Sequence, residues 1–175
     1  MPITVRLATP SDTLRLAELA ELTFCETFVE GFAVGYPEAD LRVFLDDSYA
    51  PDRVAAWIAD PGAQVLVAED DQGRLVGYTH CGDNTLPLAN AAAGDGELKR
   101  IYVRRETQGT GLGRDLMDQA LDWFGDRPIL LGVWSLNLKA QRLYQRYGFE
   151  KVGEYHFMVG QTADLEFILR RAPRG

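Results

Sequence analysis

The chain has 175 residues and a formal net charge of −8, with 26 acidic against 18 basic side chains. At 46 % hydrophobic and 25 % charged residues it lies in the globular range, long enough to bury one core without staples. The acid excess argues against nucleic-acid binding through a general basic surface, and no apolar run reaches the ~18–20 residues of a membrane helix.

Alternation in Ile3-Thr4-Val5-Arg6-Leu7 predicts a short strand. Pro10-Ser11-Asp12 supplies a turn and an N-cap for a helix whose apolar face runs through Leu14, Leu16, Ala17, Ala20, Phe24 and Phe28. Gly31 and Gly35 break it. A second helix starts at Pro37 and ends near Tyr49, and a third, Arg53 to Ala59, follows Pro51-Asp52. The period then changes to two. Gln64–Glu69 and Arg74–Cys81 form a hairpin about Asp71-Gln72-Gly73, and the loop Asp83–Gly96 leads into a strand, Glu97–Val103. A glycine-rich turn, Gln108–Gly113, feeds a helix carrying Leu112, Leu116, Met117, Ala120 and Phe124. A strand over Pro128–Trp134, a helix over Asn137–Tyr147 capped by Gly148, and closing strands near Glu150–Val159 and Asp164–Leu169 complete the chain.

No repeat or composition break divides residues 1–175, so one α/β domain is expected, a mixed central β-sheet flanked by helices. Cys25 and Cys81 stand in no metal-ligand spacing, so two reduced thiols and no metal are expected. The segment Met1–Pro10 lacks the basic flank and apolar stretch of a signal peptide, which makes the cytoplasm the expected compartment.

Gln108-Gly109-Thr110-Gly111-Leu112-Gly113 lies between a strand and an amphipathic helix. Backbone N–H groups of such a turn can approach an anion closely, the helix N-terminus adds a positive dipole end, and Arg114 adds a charge. A merely tight strand-to-helix turn would use the same glycines. A P-loop is excluded because Gly113 is followed by Arg114-Asp115 rather than Lys-Ser or Lys-Thr. The dinucleotide fingerprint is excluded because Gly111-x-x leads to Arg114 and no chain-initial βαβ unit precedes it.

Gln108-x-x-Gly111-x-Gly113 after Glu97–Val103 closely resembles the acetyl-CoA-binding motif of the GNAT N-acetyltransferases. Asn137-x-x-Ala140-x-x-Leu143-Tyr144-x-x-Tyr147-Gly148-Phe149 resembles the second signature of that family, at the right distance. The two in order imply the GNAT acyl-CoA N-acyltransferase fold and transfer of acetyl from acetyl-CoA to a primary amine. Thr23-Phe24-x-x-Thr27-Phe28 and Phe157-x-x-Gly160-x-x-x-Asp164 look like the polyamine-acetyltransferase branch, which implies a small-molecule amine and makes Phe24 and Phe28 substrate-contact candidates.

The resemblance places the pantetheine arm along the backbone of Ile101, Tyr102 and Val103, and the pyrophosphate on the amides of Gly109, Thr110, Gly111, Leu112, Gly113 and Arg114, beside Gln108. Asn137 and Tyr144, seven residues apart, share a helix face with Ala140 between them. Tyr144 matches the family's acid for the leaving thiolate, with Tyr147 as rival and a further cofactor contact. Glu97 matches a Glu that many members use as base, with Asp83, Asp95 and Glu154 as alternatives. A homodimer is common in the family. The competing readings are a non-catalytic acyl-CoA-binding module and an enzyme acting on a protein amine.

Overall fold

The computed structural model describes residues 2–173. Seven strands form one sheet in the order β1-β2-β3-β4-β5-β7-β6. They are β1 (Ile3–Leu7), β2 (Gln64–Asp70), β3 (Leu75–Asp83), β4 (Gly96–Val103), β5 (Ile129–Trp134), β6 (Phe149–Val159) and β7 (Thr162–Arg171). Every neighbouring pair is antiparallel except β4 and β5. The helices α1 (Thr13–Phe24), α2 (Glu38–Ser48) and α3 (Pro51–Ala59) cover one face, and α4 (Leu112–Phe124) and α5 (Leu138–Arg146) the other.

On the first face, Leu16, Leu19, Ala20 and Phe24 of α1 pack with Leu45, Val54, Val65, Val67 and Tyr78. On the second, Met117, Ala120, Leu121 and Phe124 of α4 pack on Leu98, Ile129, Leu131, Val133 and Leu169. Each Val, Leu, Ile, Met or Phe side chain among them contributes roughly 1.5–3 kcal/mol when fully buried. Cys81 is buried and Cys25 partly so, both as free thiols.

Two irregularities aim the sheet. On β4, Arg100 pairs with His80 and Leu98 with Cys81, so Lys99 is an extra residue in the ladder. Such a bulge reverses the side-chain alternation, and Glu97 and Lys99 before it and Arg100 and Tyr102 after it all reach one cavity on the α1–α3 face. The second irregularity is a parting of strands. β4 and β5 pair only at Gly96–Ile129 and Glu97–Leu130, so Leu98–Val103 and Leu131–Trp134 have no partner across the seam.

The predicted first helix differs from the structure at both ends. Asp12 does not cap α1 through its side chain. Its fully buried carboxylate turns back to accept from the Thr9 amide at 2.8 Å and from Arg6 at 2.8 Å, with Arg15 also bound. Past Phe24 the chain widens into a π-helix, Cys25–Gly31, closed by Phe32 N–H donating to Thr27 O at 2.9 Å. The Thr27 hydroxyl donates to Thr23 O at 2.7 Å and so competes for the carbonyl that its own N–H would use in an α-helix.

Candidate active site

The strand seam opens between the two helical layers, and the glycine turn stands at its mouth. Gly109 and Gly111 hold φ of +79° and +95°, a region open mainly to glycine. Apart from the adjoining chain, no atom of the described residues lies within 4 Å of where a Cβ would sit on Gly109, Gly111 or Gly113. The amides of Gly109, Thr110 and Gly111 enter no hydrogen bond among the described residues, while those of Arg114 and Asp115 bond Gly111 O at 3.0 and 3.1 Å. Gln108 and Arg114 are exposed beside this concavity, and Leu112 is buried and anchors α4. An open ring of unspent donors at the start of a helix of this length fits a pyrophosphate. The free seam edge of β4 at Ile101–Val103 fits an extended amide-bearing chain.

Asn137 is the N-cap of α5, its side-chain oxygen accepting from Ala140 N at 3.0 Å. That bond orients the helix so that Ala140, Tyr144 and Tyr147 face the sheet. The Tyr144 ring meets Phe149 edge-on at 5.9 Å. Burial pushes its phenol up to about 12, and the negative charge of Glu166 adds to this. A neutral phenol at neutral pH is what an acid for a departing thiolate requires. Tyr147 is raised by burial and by Asp118 beside it, and its carbonyl receives Arg171 Nε at 2.7 Å. The Tyr102 side chain points away from the α4–α5 face and stacks on Tyr78 at 5.9 Å, so only its backbone is offered along the seam.

On the opposite face a cavity of about 450 Å³ opens onto the seam. Phe24, Phe28, Phe44 and Phe157 contribute aromatic walls, with centroids 4.9 Å apart for Phe24–Phe28 and 5.6 Å for Phe44–Phe157. Glu97 lies in the wall, but its Oε2 accepts from Thr85 N, Thr85 Oγ1 and Lys99 Nζ, each at 2.8 Å. Asp164 receives the Tyr36 hydroxyl at 2.6 Å, which ties the segment before α2 to β7. Arg100 turns its guanidinium onto Trp57 at 4.4 Å and lies 3.3 Å from His80 Nδ1. Burial and the neighbouring Arg100 hold His80 down at about 3, so it is neutral.

The other carboxylates named from sequence stand outside this cavity. Asp83 is exposed and bonds Arg127 at 2.8 Å, Asp95 is buried between Ala92 N and Arg170, and Glu154 pairs with Lys151 on the surface. Glu166, Gly132, Tyr155 and Tyr36 line the cavity and were not singled out. The alternation Asp164-x-Glu166 would have put both acids on one face, but only the register of β7 against β5 says which face. No cluster of metal-ligating side chains is present among the described residues.

Residues 22–149 match the Acetyltransferase (GNAT) family. The chain belongs to that family. It is an acetyl-CoA-dependent N-acetyltransferase. It is 32 % identical over 132 residues to an uncharacterized N-acetyltransferase of Mycobacterium tuberculosis, covering 73 % of this chain and 79 % of the relative. It is 30 % identical over 173 residues to the N-alpha-acetyltransferase RimI of the same organism, covering 97 % and 92 %. The crystal structure of the PaiA N-acetyltransferase from Thermoplasma acidophilum superposes with a TM-score of 0.75 at 20 % identity, over 98 % of this chain and 99 % of that one. The GNAT fold read from the two motifs is thus the fold observed.

Proposed function

We propose that this N-acetyltransferase acts on a primary amine of a small molecule, of which polyamines are the first class to try, by direct attack in a ternary complex. The observation that carries the reading is the acceptor cavity, with aromatic walls and carboxylates meeting at the strand seam. Aromatic faces and carboxylates together suit an alkylammonium chain. Acetyl-CoA supplies a thioester whose carbonyl carbon is the electrophile.

The residues divide the work by position. The amides of Gly109 to Gly111, with Arg114, take the pyrophosphate, and the open edge of β4 takes the pantetheine arm. The capped α5 holds Tyr144 over the seam, where its phenol protonates the departing thiolate. The cavity orients the amine nitrogen toward the seam from the other face. Glu97, neutralised by Lys99, fixes the Thr85 loop as one wall. The family resemblance further implies a homodimer, which sedimentation would read, and the amino-terminal sequence suits a cytoplasmic enzyme.

The test is an acceptor panel of spermidine, spermine, an aminoglycoside, amino acids and a lysine-bearing peptide, followed by thiol release from acetyl-CoA. Saturable release with polyamines and little with the peptide is expected. Release with the peptide alone would contradict it and favour a protein amine, the reading supported by 30 % identity to RimI.

A further inference from the structure

An alkylammonium acceptor is protonated at neutral pH, since such amines have pKa values of ~10. It must lose a proton before its nitrogen can attack. Three cavity carboxylates are already committed to donors. Glu97 receives Thr85 and Lys99, Asp164 receives the Tyr36 hydroxyl, and Asp47 bonds Arg53 at 3.0 Å. Glu166 differs from all of them. It lies half-buried in the same wall, and no hydrogen bond or ion pair engages its carboxylate among the described residues.

Its position is set by strand register. Glu166 stands opposite Trp134 on β5 and Tyr155 on β6. Its Oε2 would be 3.4 Å from a Cβ placed on Gly132, and the Tyr155 hydroxyl 2.9 Å from the same point. Gly132 is the second residue past Leu130, where β5 leaves β4. A side chain there would occupy the ground between the carboxylate and the seam. Glycine therefore leaves Glu166 facing the place where the two faces of the sheet communicate.

We infer that Glu166 is the residue that takes the proton from the acceptor ammonium. The assignment rests on the small-amine reading above. The ammonium gives one proton to the Glu166 carboxylate, and the freed nitrogen pair forms the new C–N bond as the C–S bond breaks. The sulfur takes a proton from Tyr144, and the second nitrogen proton restores the phenol. Glu166 then releases its proton to solvent, so one proton is set free per amine acetylated. Burial and the nearby charge of Asp164 push the Glu166 carboxyl up to about 7, which suits a group that accepts and returns a proton near neutrality.

The experiment is the pH profile of kcat/KM for thiol release with each amine of the panel, for the wild type and Glu166→Gln. Acetyl-CoA affinity is measured calorimetrically alongside. Wild type is expected to lose activity below about pH 7 as Glu166 becomes protonated. Glu166→Gln is expected to bind acetyl-CoA as tightly, to lose about 100-fold or more at pH 7, and to recover as the free amine becomes abundant toward pH 10. Glu166→Asp should retain part of the activity if the glutamine variant folds poorly. Wild-type release that Glu166→Gln and Glu166→Asp reproduce with the same profile overturns this assignment alone. No release from the wild type with any amine overturns both the assignment and the function on which it rests.

Discussion

At the scale of single residues, a buried and a half-buried carboxylate show opposite electrostatics. Asp12 is fully buried but surrounded by donors, and its hydrogen bonds with Arg6, together with Arg15 and Thr9, hold it far below the usual carboxylate range. Its contribution is present above the unfolded pKa of about 4 and is lost as pH falls below it. Asp12→Ala should cost about 2–4 kcal/mol at pH 7 by removing the buried carboxylate from two guanidinium groups and leaving them only the more exposed Glu69 to share, read as a shift of the urea midpoint. Glu166 is the reverse case. Its carboxyl is raised by burial, so ionisation weakens the fold as pH rises from the unfolded value through about 7. Glu166→Gln should therefore be more stable than wild type at pH 8.5, by on the order of 2 kcal/mol, and nearly equal to it at pH 4.5. Melting curves at the two pH values decide this, and a constant difference would mean that Glu166 is not perturbed. The sequence shows both residues as ordinary acids. The partners of Asp12, Arg6 and Arg15, are near in the chain but meet it only through the turn that joins β1 to α1, and the setting of Glu166 comes from Gly132 on the neighbouring strand.

At the scale of elements, each strand and helix was legible in the sequence because its apolar period or its punctuation is local. Gly148, with φ of +88°, ends α5 as a helix-stopping glycine should, and the β6–β7 hairpin turns at Gly160. The departures come from competition or from distant partners. The π-helix after Phe24 depends on a threonine hydroxyl taking a carbonyl, a choice that helical periodicity does not register. The bulge at Lys99 depends on pairing with β3, and the seam depends on how far β5 follows β4. Gly96 sits at the start of that seam, where a Cβ would lie 2.5 Å from the Phe124 ring of α4. Gly96→Ala should lose about 1–3 kcal/mol through overpacking, checked by chemical denaturation. It should also weaken acetyl-CoA binding, because α4 and its glycine turn must shift away from β4 to admit the methyl group. Unchanged stability and affinity would mean that this contact does not fix the seam.

At the scale of the molecule, the sheet works as a partition. The proposed cofactor side, with α4, α5 and the glycine turn, rests on two short motifs, because backbone donors and a helix cap require particular residue types at fixed spacing. The acceptor side was only partly readable. Phe24, Phe28, Phe157 and Asp164, all named from the sequence, do line the cavity, but Tyr36, Gly132, Tyr155 and Glu166 come from four separate segments assembled by the sheet. On this proposal, a cofactor site of strict sequence is joined to an acceptor site whose chemistry is set by topology.

We propose that Tyr144, held over the seam from one face, completes a reaction that the amine enters from the other. Steady-state thiol release with spermidine, for wild type and Tyr144→Phe, decides this role when acetyl-CoA affinity is measured on the same preparations. The variant is expected to show a kcat lower by about 100-fold with acetyl-CoA affinity unchanged. Equal turnover by the two proteins would contradict it.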